Sequence, residues 1–149
     1  MNTRKFGKTN KEVSEIGLGT WQLGTVWGEE FNKEEALKIL SSAEKNNITF
    51  IDTADVYNNG NSELTIGEYI KGKRDKFYIT TKCGRKLNPH TADMYTPEAI
   101  EKFINDSLER LKLDSLDLIL LHCPPTEVYK KKEIFDKLDE LKSIGKISA

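Results

Sequence analysis

Hydrophobic and polar positions along this chain follow two alternating patterns. Short apolar runs bounded by turn formers read as strands. Longer stretches repeat apolar residues every three to four positions and read as amphipathic helices. Residues 3–6 and 11–13 flank Gly7-Lys8-Thr9-Asn10 and predict a small hairpin. Residues 16–20 predict a strand, followed by a long loop to Phe31. Asn32 with Glu35 three positions on predicts a capping box opening a helix whose buried stripe is Ala36, Ile39, Leu40 and Ala43, ended by Asn46-Asn47. Residues 48–51 predict the next strand, and residues 62–71 a helix with Leu64, Gly67 and Ile70 facing inward. The β-branched and aromatic run 77–81 predicts a third strand. Thr96-Pro97-Glu98 predicts a cap, an N1 proline and an acidic first turn, ahead of the stripe Ile100, Phe103, Ile104, Leu108 and Leu111. The continuous apolar run 118–121 predicts a strand covered on both faces, broken by Pro124-Pro125. Ile134, Phe135, Leu138 and Leu141 mark a fourth helix stopped by Gly145, and residues 146–149 read as the entry to a fifth strand.

This βαβα rhythm predicts an α/β fold with a parallel sheet and helical crossovers. An open doubly wound sheet and part of a (β/α)8 barrel both fit, and four units plus a strand start make a half barrel. With 149 residues and 37% hydrophobic content, the chain can bury a real core as one domain, in which 1–14 form the β-hairpin and 15–149 the βα units. A formal net charge of −1 argues against a nucleic-acid partner. No apolar run approaches the roughly 20 residues that cross a bilayer, so no membrane partner is expected. Charged residues at the very start and only two cysteines, Cys83 and Cys123, predict a reduced, cytoplasmic protein.

Parallel α/β folds carry reactive groups at the carboxyl ends of their strands. Gly19-Thr20-Trp21-Gln22-Leu23-Gly24 follows the first run, without the glycine spacing of a dinucleotide fingerprint and with no helix directly after it. It is either a turn around a packed Trp or backbone lying close to a ligand, with Trp21 as a wall. The next three strands run into Asp52, Lys82 and His122, and Tyr57 lies one short loop beyond Asp52. Each has an ordinary structural explanation taken singly; together, on one rim, they point to proton transfer. A free Tyr has a pKa near 10, too high for an efficient acid at neutral pH, and a neighbouring ammonium favours the phenolate. A carboxylate holds that ammonium in place, and a histidine across the pocket can donate to a substrate oxygen. None of these groups supplies reducing equivalents, so a hydride requires a cofactor. A metal site from Cys83, His122 and Cys123 is disfavoured: neighbours on a strand face opposite ways and no C-x-x-C pair exists, so no metal is expected. His90 reads as solvated, and Lys130-Lys131-Lys132 as an exposed helix start.

Ile16-Gly17-Leu18-Gly19-Thr20-Trp21, the segment from Phe50-Ile51-Asp52 to Tyr57 with Gly60-Asn61-Ser62-Glu63, then Thr80-Thr81-Lys82 and Leu120-Leu121-His122, stand in a characteristic order and spacing. On these segments the chain resembles the N-terminal half of an aldo-keto reductase, a TIM-barrel family. The resemblance implies reduction of small-molecule aldehydes and ketones with NADPH, NADH being possible, and with no Rossmann fold. It implies catalytic roles for Asp52, Tyr57, Lys82 and His122, with Tyr57 as general acid. It places Gly19, Thr20, Trp21 and Asp52 beside the nicotinamide, and Trp21, Trp27, Tyr57 and His122 around the substrate. It also implies a truncated chain, inactive alone or closing by self-association through open sheet edges. A nucleotide-binding auxiliary module is the alternative.

Overall fold

The computed structural model of the protein describes residues 1–25 and 29–149. A two-stranded antiparallel hairpin, β1 (Thr3–Lys5) and β2 (Glu12–Ser14), precedes a four-stranded parallel sheet of β3 (Gly17–Gly19), β4 (Phe50–Asp52), β5 (Tyr78–Cys83) and β6 (Leu118–Leu121), which stand side by side in chain order. The helices α1 (Lys33–Lys45), α2 (Asn61–Tyr69) and α3 (Pro97–Leu111) form the crossovers, and α4 (Lys132–Ser143) leads toward a further strand position. There Ile147 pairs in parallel with Leu116, and the Ile119 amide donates to the Ala149 carbonyl at 3.0 Å, so the last residues lie along the outer edge of β6. The result is half of a (β/α) barrel.

Strand alternation sorts side chains to two faces. On the outer face Ile51, Ile79, Cys83 and Ile119 are buried under the helices. They join Leu40, Ile66, Ile100, Ile104, Leu111 and Leu141 in one continuous core. The inner face carries Phe50, Asp52, Tyr78 and Lys82. Phe6 of the hairpin plugs its lower end, with ring centroids 5.2 Å from Phe50 and 5.3 Å from Tyr78. The Ser14 hydroxyl fastens the hairpin to the base of β4, accepting from the amides of Thr49 (3.0 Å) and Phe50 (3.2 Å).

Helix starts follow the sequence signals. The Asn32 side chain accepts from the Glu35 amide at 3.1 Å, and the Thr96 hydroxyl from the Ala99 amide at 3.2 Å. Only half of the expected capping box forms. The Asn32 amide is already bonded to the Gly24 carbonyl at 2.7 Å, and Glu35 turns to Lys38.

Three burial expectations are corrected. Residues 118–121 are not covered on both faces. Ile119 is buried but Leu120, on the inner face, is 40% exposed. Leu64 and Phe135 also lie outside the buried stripes of their helices, both exposed. The buried side of α2 is Ser62, Glu63, Thr65, Ile66 and Gly67, two of them polar residues engaged in hydrogen bonds, and that of α4 is Ile134 and Leu141. α2 approaches α3 closely at Gly67, where a Cβ would stand 2.5 Å from the Leu111 carbonyl oxygen and 2.8 Å from that of Arg110. That backbone approach sets the crossing of the two helices.

Replacing Gly67 with Ala is therefore expected to destabilise the protein by roughly 1–3 kcal/mol. Overpacking against rigid backbone outweighs the helix-propensity gain of about 1 kcal/mol. Urea unfolding measures the difference, and a Gly67→Ala protein of equal or greater stability would refute this account of the crossing.

Candidate functional site

Beyond β4 the chain keeps pairing with β5: the Thr53 amide donates to Thr80 O at 2.8 Å and the Asp55 amide to Lys82 O at 3.2 Å. This stitching brings Asp52, at the tip of β4, beside Lys82, near the tip of β5. A knot of hydroxyls supports it from behind. The Thr20 hydroxyl donates to the Asp52 carbonyl at 2.9 Å, and the buried Ser62 hydroxyl lies 3.0 Å from Thr20 Oγ1 and 2.9 Å from Thr53 Oγ1. The start of α2 is thereby tied to the tips of β3 and β4.

The Tyr57 loop is a tight 3-10 turn, Tyr57–Gly60, in which Asn58, Asn59 and Gly60 all have positive φ (49°, 56° and 93°). Asn tolerates the left-handed region better than most residues. Gly60 is required there for a second reason, since a Cβ would stand 2.9 Å from Arg110 Cδ. Asn58 also straps this loop to the one after β3. Its amide nitrogen donates to Leu23 O (2.9 Å) and its oxygen accepts from the Thr25 hydroxyl (2.9 Å).

These supports converge on Lys82. Its ammonium donates to Asp52 Oδ1, to the Thr53 carbonyl at 2.8 Å and to the Tyr57 hydroxyl at 3.3 Å. The His122 ring stands edge-on to the Tyr57 ring, centroids 5.9 Å apart at 86°. Its own amide donates to the Cys83 carbonyl at 2.8 Å, which places it one step past β6. Burial, then the cations of Lys82 and Arg85, push the His122 pKa below its ordinary 6.5. The ring is therefore neutral at pH 7, with one N–H to donate and one nitrogen to accept. Nδ1 is buried and has no partner among the described residues.

The four residues singled out for proton transfer thus meet in one place. Gly19 pairs in register with Asp52 and has nothing within 4 Å of a would-be Cβ, so the backbone there is open to the inner mouth. Trp21 is 58% exposed. The Thr20 side chain is fully buried and its hydroxyl is engaged behind β4. Trp27 lies outside the described residues. Cys83 is buried and Cys123 exposed, both free. Among the described residues no group of three His, Cys, Asp or Glu is arranged to hold a metal. His90 is not simply solvated, because its Nε2 lies 2.9 Å from the hydroxyl of the fully buried Tyr95. Sequence reading missed Thr53, Asn58 and the Thr20–Ser62 pair as supports. The positive φ at Asn58 was foreshadowed only by the Asn-Asn-Gly run.

The aldo/keto reductase family pattern matches residues 15–149. The chain belongs to the aldo/keto reductase family. The NADH-specific methylglyoxal reductase of Escherichia coli is 35% identical over 97% of this chain and 49% of its own length. Among solved structures, an aldo-keto reductase of Bacillus halodurans in its holo form superposes with a TM-score of 0.85 at 30% identity, covering 99% of this chain and 48% of that one. An aldo-keto reductase of Klebsiella pneumoniae in complex with NADPH gives 0.78 at 29% identity, covering 98% and 47%. The chain thus spans about half the length of the aldo/keto reductases it matches. Among the described residues no helix is long and apolar enough to cross a membrane.

A histidine whose proton is harder to hold in the folded state weakens the fold as pH falls through its unfolded value. NMR titration of His122 is expected to give a midpoint below 6.5, moved upward in Lys82→Met as the strongest of the depressing cations is removed. A midpoint at or above 6.5 would contradict the burial described here.

Proposed function

We propose that the protein serves the nicotinamide-dependent reduction of small-molecule aldehydes and ketones, with Tyr57 as the proton donor. The observation that carries this reading is the single ammonium of Lys82 shared between Asp52 and the Tyr57 hydroxyl. When Tyr57 gives up its proton, the negative charge left on its oxygen lies beside that ammonium, which stabilises it. Asp52 and the Thr53 carbonyl hold Lys82 in place and aimed at the phenol. The neutral His122 ring, edge-on to Tyr57, donates its N–H to the substrate oxygen and fixes the carbonyl against the phenol. Positioned proton donation of this kind is worth ~10²–10⁴-fold in rate.

Hydride for the carbonyl carbon is the chemistry a bound nicotinamide cofactor would supply, since none of these side chains carries reducing equivalents. The residues present suit its flat ring. Gly19 leaves open space beside Asp52, and exposed Trp21 offers a stacking face. Thr20 contributes by holding the Asp52 carbonyl. NADPH is the favoured nucleotide, from the Klebsiella structure, and NADH the second choice, from the Escherichia relative. Trp21 and Trp27 are assigned to the substrate wall. Two free thiols fit a cytoplasmic setting.

The test is turnover of a small aldehyde with NADPH, followed by nicotinamide absorbance. Tyr57→Phe is expected to lower kcat/KM by ~10²–10⁴-fold with nucleotide affinity unchanged. Nucleotide binding without any turnover in the unaltered protein would replace this reading with that of a binding module.

A further inference from the structure

We infer that Asp55 is a positioning residue for Tyr57: its fully buried carboxyl lies behind the loop and seats it, and a charge placed on that carboxyl loosens the seat. The inference rests on Tyr57 as the reacting phenol. Asp55 lies two residues before Tyr57 and is itself stitched to β5 by its amide bond to Lys82 O. Its side chain is fully buried, and no side chain among the described residues hydrogen-bonds either carboxyl oxygen; the adjacent Val56 amide interacts with it only weakly. A charge left in that state is strongly disfavoured, so a carboxyl there holds its proton to a higher pH than an exposed one does.

The neighbours explain why no strong partner is left. Glu63 of α2 is also fully buried and has taken two of the nearby donors. It accepts from Arg110 Nε of α3 at 2.6 Å and from the Thr81 hydroxyl of β5 at 2.6 Å. A second guanidinium nitrogen, Arg110 Nη2, donates to Ser107 at 3.2 Å. Two buried carboxyls thus share one guanidinium already committed to the other. The remaining groups facing Asp55 are the Cys83 thiol of β5, the Tyr95 hydroxyl ahead of α3, the exposed Lys86 on the loop after β5, and the Val56 amide on its own segment. Burial raises the Asp55 pKa from 3.8 to about 6; the nearest cation in effect, Lys86, only partly offsets this and Glu63 adds to it.

The sign of the pH effect follows. The seated carboxyl binds a proton more tightly than a released one, so the seated loop gains from the proton at low pH and loses that gain as pH rises from about 4 to about 6. If opening restores the ordinary value of 3.8, the opening equilibrium rises about tenfold between pH 5 and pH 8. The loop is the part that yields. Three successive left-handed residues shape it, and besides the Asn58 strap its Tyr57 hydroxyl is held by a single bond from Lys82.

Hydrogen exchange on the substrate-free protein tests this. Protection factors of amides 55–61, corrected for intrinsic rates, are expected to fall about tenfold from pH 5 to pH 8 in the native sequence. In Asp55→Asn, which keeps the shape and removes the titration, they should stay level. A flat profile in the native protein, or the same fall in Asp55→Asn, overturns the proposal. Should that variant not fold, the ¹³C carboxyl shift of Asp55 in the native protein decides: a midpoint near 6 supports the proposal and one near 3.8 overturns it. Exchange is read without turnover, so failure of carbonyl reduction would count against Tyr57 as the acid and not against the seat beneath it.

Discussion

Lys82 carries one positive charge to a point where three oxygens converge, from Asp52, the Thr53 carbonyl and Tyr57. A half-buried ammonium needs this arrangement. Removed from much of its water, it must be given hydrogen-bond acceptors or lose its charge. Everything nearby is built to supply them. The carboxylate comes from the tip of one strand, the carbonyl from the residue after it, and the phenol from a turn that the left-handed asparagines bring back over the strand end. The proton transfer proposed for this site would follow from satisfying one cation.

The supporting layers are polar where a core would ordinarily be apolar. Thr20, Thr53 and Ser62 form a closed group of hydroxyls behind the strand tips, and Thr81, Glu63 and Arg110 a second one between β5 and the helix pair. A fully satisfied buried network fixes geometry more narrowly than apolar contacts do, because each donor has one direction in which it is matched. Asp55 stands at the edge of the second group without a share in it, so the Tyr57 loop rests on a protonatable group.

The half-barrel form shapes what these networks can do. Outer faces are sealed by α1 to α4, while inner-face residues such as Leu120 remain exposed. The four polar residues gather at the carboxyl ends of the strands, and the Phe6–Phe50–Tyr78 cluster closes the opposite end. In the longer relatives this chain corresponds to about half of the molecule.

Much was legible beforehand because it is local. The caps at Asn32 and Thr96, the helix stripes and the βα alternation depend on residues within one or two turns of each other, so periodicity and capping rules reach them. Asp52, Tyr57, Lys82 and His122 were legible as candidates because strand ends share a rim whatever the details. Other features depend on partners distant in the chain: the Thr20–Ser62 bond spans 42 residues and the Glu63–Arg110 pair 47. Leu120 was misjudged for the same reason, since an apolar run does not say which of its faces another layer covers. Short-range pattern alone determined the elements and put four candidate side chains at or just beyond the strand ends. Tertiary packing decided which hydroxyls, carboxyls and cations meet, because a hydrogen bond is set by distance in space and not along the chain.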